Sequence, residues 1–464
     1  MDSRLCERCE NSHSSYLNQH PPVNTNNQTV VQPLIAEPSQ KHFSVIVIGG
    51  GQAGLSASYL LKERGIDHLV FEKNRLAESW RSKRWDTFCL VTPNWQCQLP
   101  GHPYSGPDPH GFMVKDEIVA YIESYAHSFR PPIYEGVTVS RLRRDDAEAF
   151  EITTEIGVFT ADQVIVATGG YQDATIPRMA ERISSEIHQV HSSDYKNEDL
   201  LPAGEVLVVG SGQSGCQIAE DLHLAGRSVH LCVGGAPRTA RRYRGKDVVD
   251  WLNDMGYYDK PIHEHPQRER VRTKANHYVT GRDGGRDIDL RKFAVEGMRL
   301  YGRLKEIRGS KLYFAADLKQ NLDQADAVAE SIKNTIDKYI DANEISAPVE
   351  PRYQPFWQPD AQVLELDYIA AGITTIIWSI GFHADYRWIE LPIFDGKGYP
   401  GHHRGVTTVP GMYFLGLPWQ YTWGSGRFSG VARDAKFLIE HIEDMRTEKP
   451  RRNGFTLNEW ALGS

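Results

Sequence analysis

The same local pattern occurs twice in this chain, and it leaves few folds open. A β-branched apolar run, Phe43 to Ile48, leads into Gly49-Gly50-Gly51-Gln52-Ala53-Gly54 and a helical stretch from Ala53 to Arg64. A second run, Val206 to Val209, leads into Gly210-Ser211-Gly212-Gln213-Ser214-Gly215 and another helical stretch. In a strand–turn–helix of this kind the first glycine permits the tight turn. The second lets the backbone approach a diphosphate, and the third packs helix on strand. The helix then presents free N–H groups and the positive end of its dipole to the anion. Two such βαβ units predict an α/β protein of two nested Rossmann-like dinucleotide-binding domains.

The two units differ at the position that reads the ribose. After the first, strand-like His68 to Phe71 ends in Glu72, eighteen residues past Gly54. A carboxylate there can accept hydrogen bonds from both ribose hydroxyls. The matching position of the second unit is Val233, followed by Arg238, Arg241, Arg242, Arg244 and Lys246. A carboxylate repels a 2′-phosphate and arginine grips one bidentately. The first unit therefore suits FAD and the second NADPH, with Arg238 and Arg241 expected at the 2′-phosphate. Both in one chain mean that electrons pass from a pyridine nucleotide to a flavin.

The spacing predicts a discontinuous first domain, residues 42–177 and 366–446, with an NADP domain at 178–365 inserted between. That insert carries a helical patch near 318–343, in which Leu318, Leu322, Ala325, Ala329, Ile332, Ile336 and Tyr339 recur on one face. Residues 1–41, polar and without period, read as an extended or disordered arm, and 447–464 as a tail. Net charge is −8 with a pI near 6.1, which argues against a general nucleic-acid binder. No apolar run approaches the ~18 residues of a membrane span. The start of the chain lacks the apolar core of a secretory signal, so a cytoplasmic location is expected. Of six cysteines, Cys6 and Cys9 form a CxxC in the arm, while Cys89, Cys97, Cys216 and Cys232 have apolar surroundings. No redox CxxC or CxxxxC sits in the core, which disfavours a disulfide reductase.

From Val45 to Ile442 these residues resemble the flavin-containing monooxygenase family, including its bacterial members and the plant indole-3-pyruvate monooxygenases. The first motif with Glu72-Lys73 resembles the family's FAD fingerprint, and Ala167-Thr168-Gly169 its second FAD contact. His191-Ser192-Ser193-Asp194-Tyr195 resembles the end of the signature FxGxxxHSxxY, although Ser185 and Ile187 replace its Phe and Gly. His191 is accordingly read as a structural interdomain histidine. Leu90-Val91-Thr92-Pro93-Asn94 resembles the segment placed over the flavin ring. Trp80 and Arg81 resemble residues lining that ring, and Tyr413-Phe414-Leu415-Gly416-Leu417 the third FAD strand. The resemblance implies FAD contacts at Gly49, Gly51, Gln52, Ala53, Gly54, Glu72, Lys73, Trp80, Arg81, Thr92, Val137, Ala167, Thr168, Gly169 and Gly416. It implies NADP contacts at Gly210, Gly212, Gln213, Ser214, Gly215, Arg238 and Arg241.

It further implies a single-component monooxygenase that reduces FAD with NADPH and oxygenates a small molecule through a C4a-(hydro)peroxyflavin, with Asn94 as the catalytic hydrogen-bonding residue. The cofactor carries the chemistry and the protein supplies binding and a dry pocket. Heteroatom (N or S) oxygenation or oxidative decarboxylation is the expected outcome. Baeyer–Villiger oxygenation is the near alternative, although that signature ends in Trp where this one has Tyr195, and a non-catalytic NADPH/FAD redox sensor is the alternative of another class. The expected partners are a small-molecule substrate and molecular oxygen, with a homodimer left open. Aromatic residues at 251–258, 356–357 and 419–423 are candidate pocket walls.

Overall fold

A computed structural model describes residues 40–448 of the chain. The sequence expectations for residues 1–39, Cys6 and Cys9 included, and for 449–464 lie outside the described residues.

Each glycine motif hangs from the middle strand of a parallel sheet. In the first sheet the parallel order is Met412–Phe414, Gly157–Val166, His42–Ile48, His68–Glu72 and Ile133–Glu135. An antiparallel meander, Val139–Arg144 with Phe150–Thr154, extends from Gly157–Val166. The continuous β-branched runs are explained by burial on both faces, as parallel sheets require: Val45, Ile46, Val47, Val164 and Ile165 are fully buried. Helix Gln52–Glu63 covers one face and packs with the closing helix Val431–Glu448 through Leu55, Leu61, Leu438 and Ile439.

The second sheet is entirely parallel, in the order His188–His191, Ile373–Trp378, Glu205–Val209, Val229–Cys232 and Arg299–Tyr301. This corrects the domain boundary expected at residue 366. Ile373–Trp378 pairs on both sides within the second sheet, and Thr375, Ile376, Ile377 and Trp378 are buried there. The chain returns toward the first half only afterwards. Phe382–His383 pairs with Asp173–Ala174, and Ile389 bridges to Leu142. The expected amphipathic helix runs over Leu318–Ala342. Its Leu318, Leu322 and Ala325 join the core of the second sheet, while Ile336 and Ile340 close a small core with Tyr243 and Trp251. Among the described residues no helix is long and apolar enough to cross a membrane.

Candidate nucleotide sites and active site

The two glycine motifs fold alike because their glycines face the same obstacles. Gly49 has φ +109° and Gly210 φ +108°, values that L side chains rarely adopt. A Cβ on Gly49 would lie 2.6 Å from the Ala167 carbonyl oxygen, and one on Gly210 would overlap that of Ser379. Gly54 and Gly215 press on the carbonyls of Gly49 and Gly210 so closely that any Cβ would overlap them. At Gly51 and Gly212 the situation reverses: an added Cβ meets nothing within 4 Å. Each of these glycines is the N-cap of its helix, and neither helix has a side-chain cap. The first-turn N–H groups thus look into open space, a cradle that fits a diphosphate at both motifs.

At the first motif, Glu72 accepts hydrogen bonds from the Gly50 N–H (2.7 Å) and the Asn74 N–H (2.9 Å), which pins its carboxylate beside the glycine turn. Val137 is buried and its N–H donates to the Glu72 carbonyl at 2.9 Å. Ala167 is buried next to Gly49. Thr168 Oγ1 and the Gly169 carbonyl both accept from Gln172 Nε2, each at 2.9 Å. Gly416 leaves room for Ala53, whose Cβ would stand 2.7 Å from a Cβ placed there. These expected contacts thus gather around one turn. Lys73 is exposed and Thr92 half-buried. Arg81 pairs with Glu123 on helix Lys115–Phe129, so its charge is committed within the fold. Trp80 stacks on Phe428, ring centroids 5.6 Å apart.

The arginines expected at the 2′-phosphate are buried and paired with acids. Arg238 is 4% exposed, its Nε donates to Asp326 at 2.6 Å, and its guanidinium lies over Tyr353. Arg241 is 1% exposed and bonds Asp247 and the Val91 carbonyl, each at 2.7 Å. Both are buried ion-pair members; the acids that pair with them lie far off in sequence or in the next turn. Val233 is buried, and at this motif Ser211 Oγ accepts the Gly234 N–H at 2.9 Å. Ser214 lies half-buried at the start of its helix. Sequence reading missed Ser379-Ile380-Gly381, the counterpart of Ala167-Thr168-Gly169. The Ser379 N–H donates to Val209 and the Ala167 N–H to Ile48, both at 2.8 Å. The apolar run Ile376-Ile377-Trp378 before a glycine was the available signal.

The two motifs are linked through a few residues. Gln52 Nε2 donates to the Gly426 carbonyl at 3.0 Å, and Gln213 Nε2 to the Val279 carbonyl at 2.6 Å. Between these, Arg427 Nη2 donates to Asn276 Oδ1 at 2.9 Å. Arg427 lies over the Trp423 ring at 4.0 Å, and Trp423 packs on Tyr258 at 4.6 Å. Arg84 lies over Trp80 (5.0 Å) and Phe88 (5.4 Å), and burial pushes its guanidinium down to about 10. Of the candidate wall aromatics, Trp251 belongs to the small core and Phe356 is 60% exposed, while Tyr258 and Trp423 pack together beside Arg427.

Asn94 is 4% exposed with both ends of its carboxamide engaged. Its Oδ1 accepts the Met113 N–H at 2.7 Å and its Nδ2 donates to the Asp108 carbonyl at 3.0 Å. It stitches loop 108–113 to its own turn. His191 is buried. The Ser193 N–H donates to its Nδ1 at 3.2 Å, which leaves Nε2 to donate to the Gly381 carbonyl at 3.0 Å. Burial lowers its proton affinity, so it is a neutral strut at the end of the second sheet. Tyr195 donates to Asp221 at 2.7 Å, and Asp221 also receives Thr87 and Arg282. The four cysteines among the described residues are free and buried; burial raises each thiol, Cys89 to about 11 and Cys97 to about 12. None is poised for disulfide exchange.

The family described as pyridine nucleotide-disulphide oxidoreductase matches residues 46–288. An uncharacterized CzcO-like oxidoreductase of Geobacillus kaustophilus is 35% identical over 402 residues, 86% of this chain and 97% of that one. A probable indole-3-pyruvate monooxygenase, YUCCA4 of Arabidopsis thaliana, is 31% identical over 191 residues, 40% of this chain and 46% of that one. Among solved structures, a flavin-containing monooxygenase from Stenotrophomonas maltophilia shares the fold with TM-score 0.60 at 18% identity, covering 88% of this chain and 100% of that one. OTEMO, solved as a complex with FAD and NADP, does so with TM-score 0.51 at 16% identity, covering 88% and 86%. The chain belongs to the pyridine nucleotide-disulphide oxidoreductase family and is an oxidoreductase.

Proposed function

We propose that this protein is a single-component monooxygenase that takes electrons from NADPH and uses them, with dioxygen, to oxygenate a small molecule by heteroatom oxygenation or oxidative decarboxylation. Its cofactors are FAD and NADPH, with FAD at the Gly49–Gly54 motif and NADPH at Gly210–Gly215. The observation that carries this reading is the junction between two cradles of equal geometry, with no thiol pair beside it among the described residues. A reductase that works by dithiol exchange needs such a pair to receive electrons; without it, dioxygen or an external acceptor takes them, and dioxygen is the acceptor in this reading.

The bound flavin supplies the redox chemistry, accepting hydride from NADPH and reducing dioxygen. The chain's residues do the rest. Glu72 is placed to hold the adenosine ribose, and the open N–H groups after Gly51 and Gly212 to hold the diphosphates. Gln52 and Gln213, tied to Gly426 and Val279, fix the two helix starts relative to the segments between them. Such orientation is what brings a hydride donor within reach of its acceptor. Trp80 and Phe428, stacked on each other, offer an apolar surface that keeps water away, and Asn94 holds loop 108–113 in place.

The test is oxygen-dependent NADPH consumption by the FAD-loaded protein, with hydrogen peroxide measured in parallel. The expected result is consumption that stops without oxygen, and a peroxide yield that falls when an accepted substrate is added. NADPH consumption sustained without oxygen by a disulfide such as cystine would overturn the reading in favour of a reductase.

A further inference from the structure

We propose that Arg84 and Arg427 together clamp the carboxylate of an organic-acid substrate whose apolar body lies against Trp80, Phe88, Trp423 and Tyr258. The proposal deepens the monooxygenase reading and rests on it, because it names the substrate class of that cleft.

The starting point is charge that nothing in the fold balances. The fully buried arginines have acids (Arg238 has Asp326, Arg241 has Asp247, and Arg291 has Asp323 and Asp326), whereas Arg84 and Arg427 are half-buried. Arg84 and Arg427 form no ion pair among the described residues. The only groups that favour their charge are phenols, Tyr171 for Arg84 and Tyr171, Tyr258 and Tyr257 for Arg427. Burial disfavours both guanidinium charges. A cation partly withdrawn from water without a counter-charge is disfavoured, and a ligand that brings a negative charge offsets this.

Geometry puts both on one cleft. Trp80, the ring under Arg84, stacks on Phe428, the residue after Arg427, with ring centroids 5.6 Å apart. Arg427 follows Gly426, which receives the Gln52 side chain of the first motif, and it bonds Asn276, three residues before the Val279 that receives Gln213. The clamp therefore stands where the two nucleotide halves meet, the place a substrate must occupy to be oxidised.

Donors remain for the ligand. Arg84 spends one hydrogen bond, on the Lys83 carbonyl, and Arg427 two, on the Trp423 carbonyl and Asn276. Aromatic faces hold both planes, Trp80 and Phe88 under Arg84 and Trp423 under Arg427. A planar guanidinium fixed in this way recognises a carboxylate bidentately. The same rings offer the apolar surface that an alkyl or aryl body needs. Nucleotide phosphates are the other anions that enter this cleft, and the experiment separates them.

The experiment uses the oxidised, FAD-loaded full chain. Phenylacetate, 4-phenylbutyrate and octanoate are titrated against their neutral amides, with binding read by calorimetry and by perturbation of the flavin spectrum. The expected result is at least one acid that binds about tenfold or more tighter than its own amide. That preference falls to near unity in Arg427→Gln and in Arg84→Gln, and is partly kept in the two Lys variants, which also show that the pocket survives substitution. Acids that bind no tighter than their amides would overturn the clamp. So would an acid preference that persists in both Gln variants. FAD content or NADPH affinity falling about tenfold in the Gln variants, with acid preference kept, would overturn it and assign the arginines to nucleotide phosphates. Binding is measured without turnover. An acid preference in a protein that fails the oxygen test therefore sinks the monooxygenase reading and leaves the clamp; oxygenation without acid preference does the reverse.

Discussion

Around Gly49 and around Gly210 the backbone follows one plan. Each turn is held by an N–H to the strand on one side (Gly49 to Phe71 at 2.7 Å, Gly210 to Cys232 at 3.3 Å) and faces the end of the strand on the other, at Ala167 or Ser379. Side chains then part company. Glu72 sets a carboxylate against the Gly50 N–H, whereas the second half has a buried Val233 and the Ser211 hydroxyl against Gly234. The comparison teaches that passing a diphosphate over a helix start dictates the glycines, while the neighbours decide which nucleotide is held.

The largest test of that comparison is Gly54→Ala beside Gly215→Ala. Each methyl would overlap a backbone carbonyl, and overpacking of this kind costs about 1–3 kcal/mol, or roughly ten- to a hundredfold in nucleotide affinity once the turn shifts. Gly54→Ala should purify with little flavin, and Gly215→Ala with normal flavin that NADPH reduces slowly. Flavin absorbance and stopped-flow reduction check this; equal damage to both functions in both variants would break the division of labour.

Arg241→Ser has the next largest effect on the comparison, because it acts on stability and leaves nucleotide binding alone. It strands Asp247 in the interior, and breaking a buried pair costs about 3–5 kcal/mol. The expected outcome is a lower denaturation midpoint in urea with the NADPH to NADH ratio of kcat/KM unchanged. A selective loss for NADPH would assign Arg241 to the 2′-phosphate and sharpen the difference between the halves.

Asn94→Ala should have the smallest effect. It removes two buried hydrogen bonds to loop 108–113, about 1–3 kcal/mol of stability. Proteolytic sensitivity near residues 108–113 should rise together with peroxide leakage. Leakage without loosening of the loop would instead give Asn94 the catalytic role expected from sequence.

What could be read from sequence was local. The strand–glycine–helix units, the amphipathic stripe of 318–342 and the buried cysteines follow from periods and spacings that lie within a few residues of one another. What could not be read depends on distant partners. Nothing in the run of arginines after Val233 shows that Asp326, 88 residues away, bonds Arg238. Strand Ile373–Trp378 looks like part of the first half until its register beside Glu205–Val209 places it in the second. Arg84 and Arg427 are 343 positions apart, by subtraction of their numbers, and nothing along the chain marks them as joined by the Trp80–Phe428 stack.

Gly51→Val and Gly212→Val test the central claim most directly, because at both positions an added Cβ meets nothing within 4 Å. The measurement is an anaerobic NADPH titration of the flavin absorbance in the two variants and the parent, after each has been reconstituted with FAD. The account predicts that Gly51→Val takes up no FAD, and that Gly212→Val takes up FAD normally but is reduced by dithionite and not by NADPH. Full NADPH reduction of Gly212→Val, or normal FAD uptake by Gly51→Val, would contradict it.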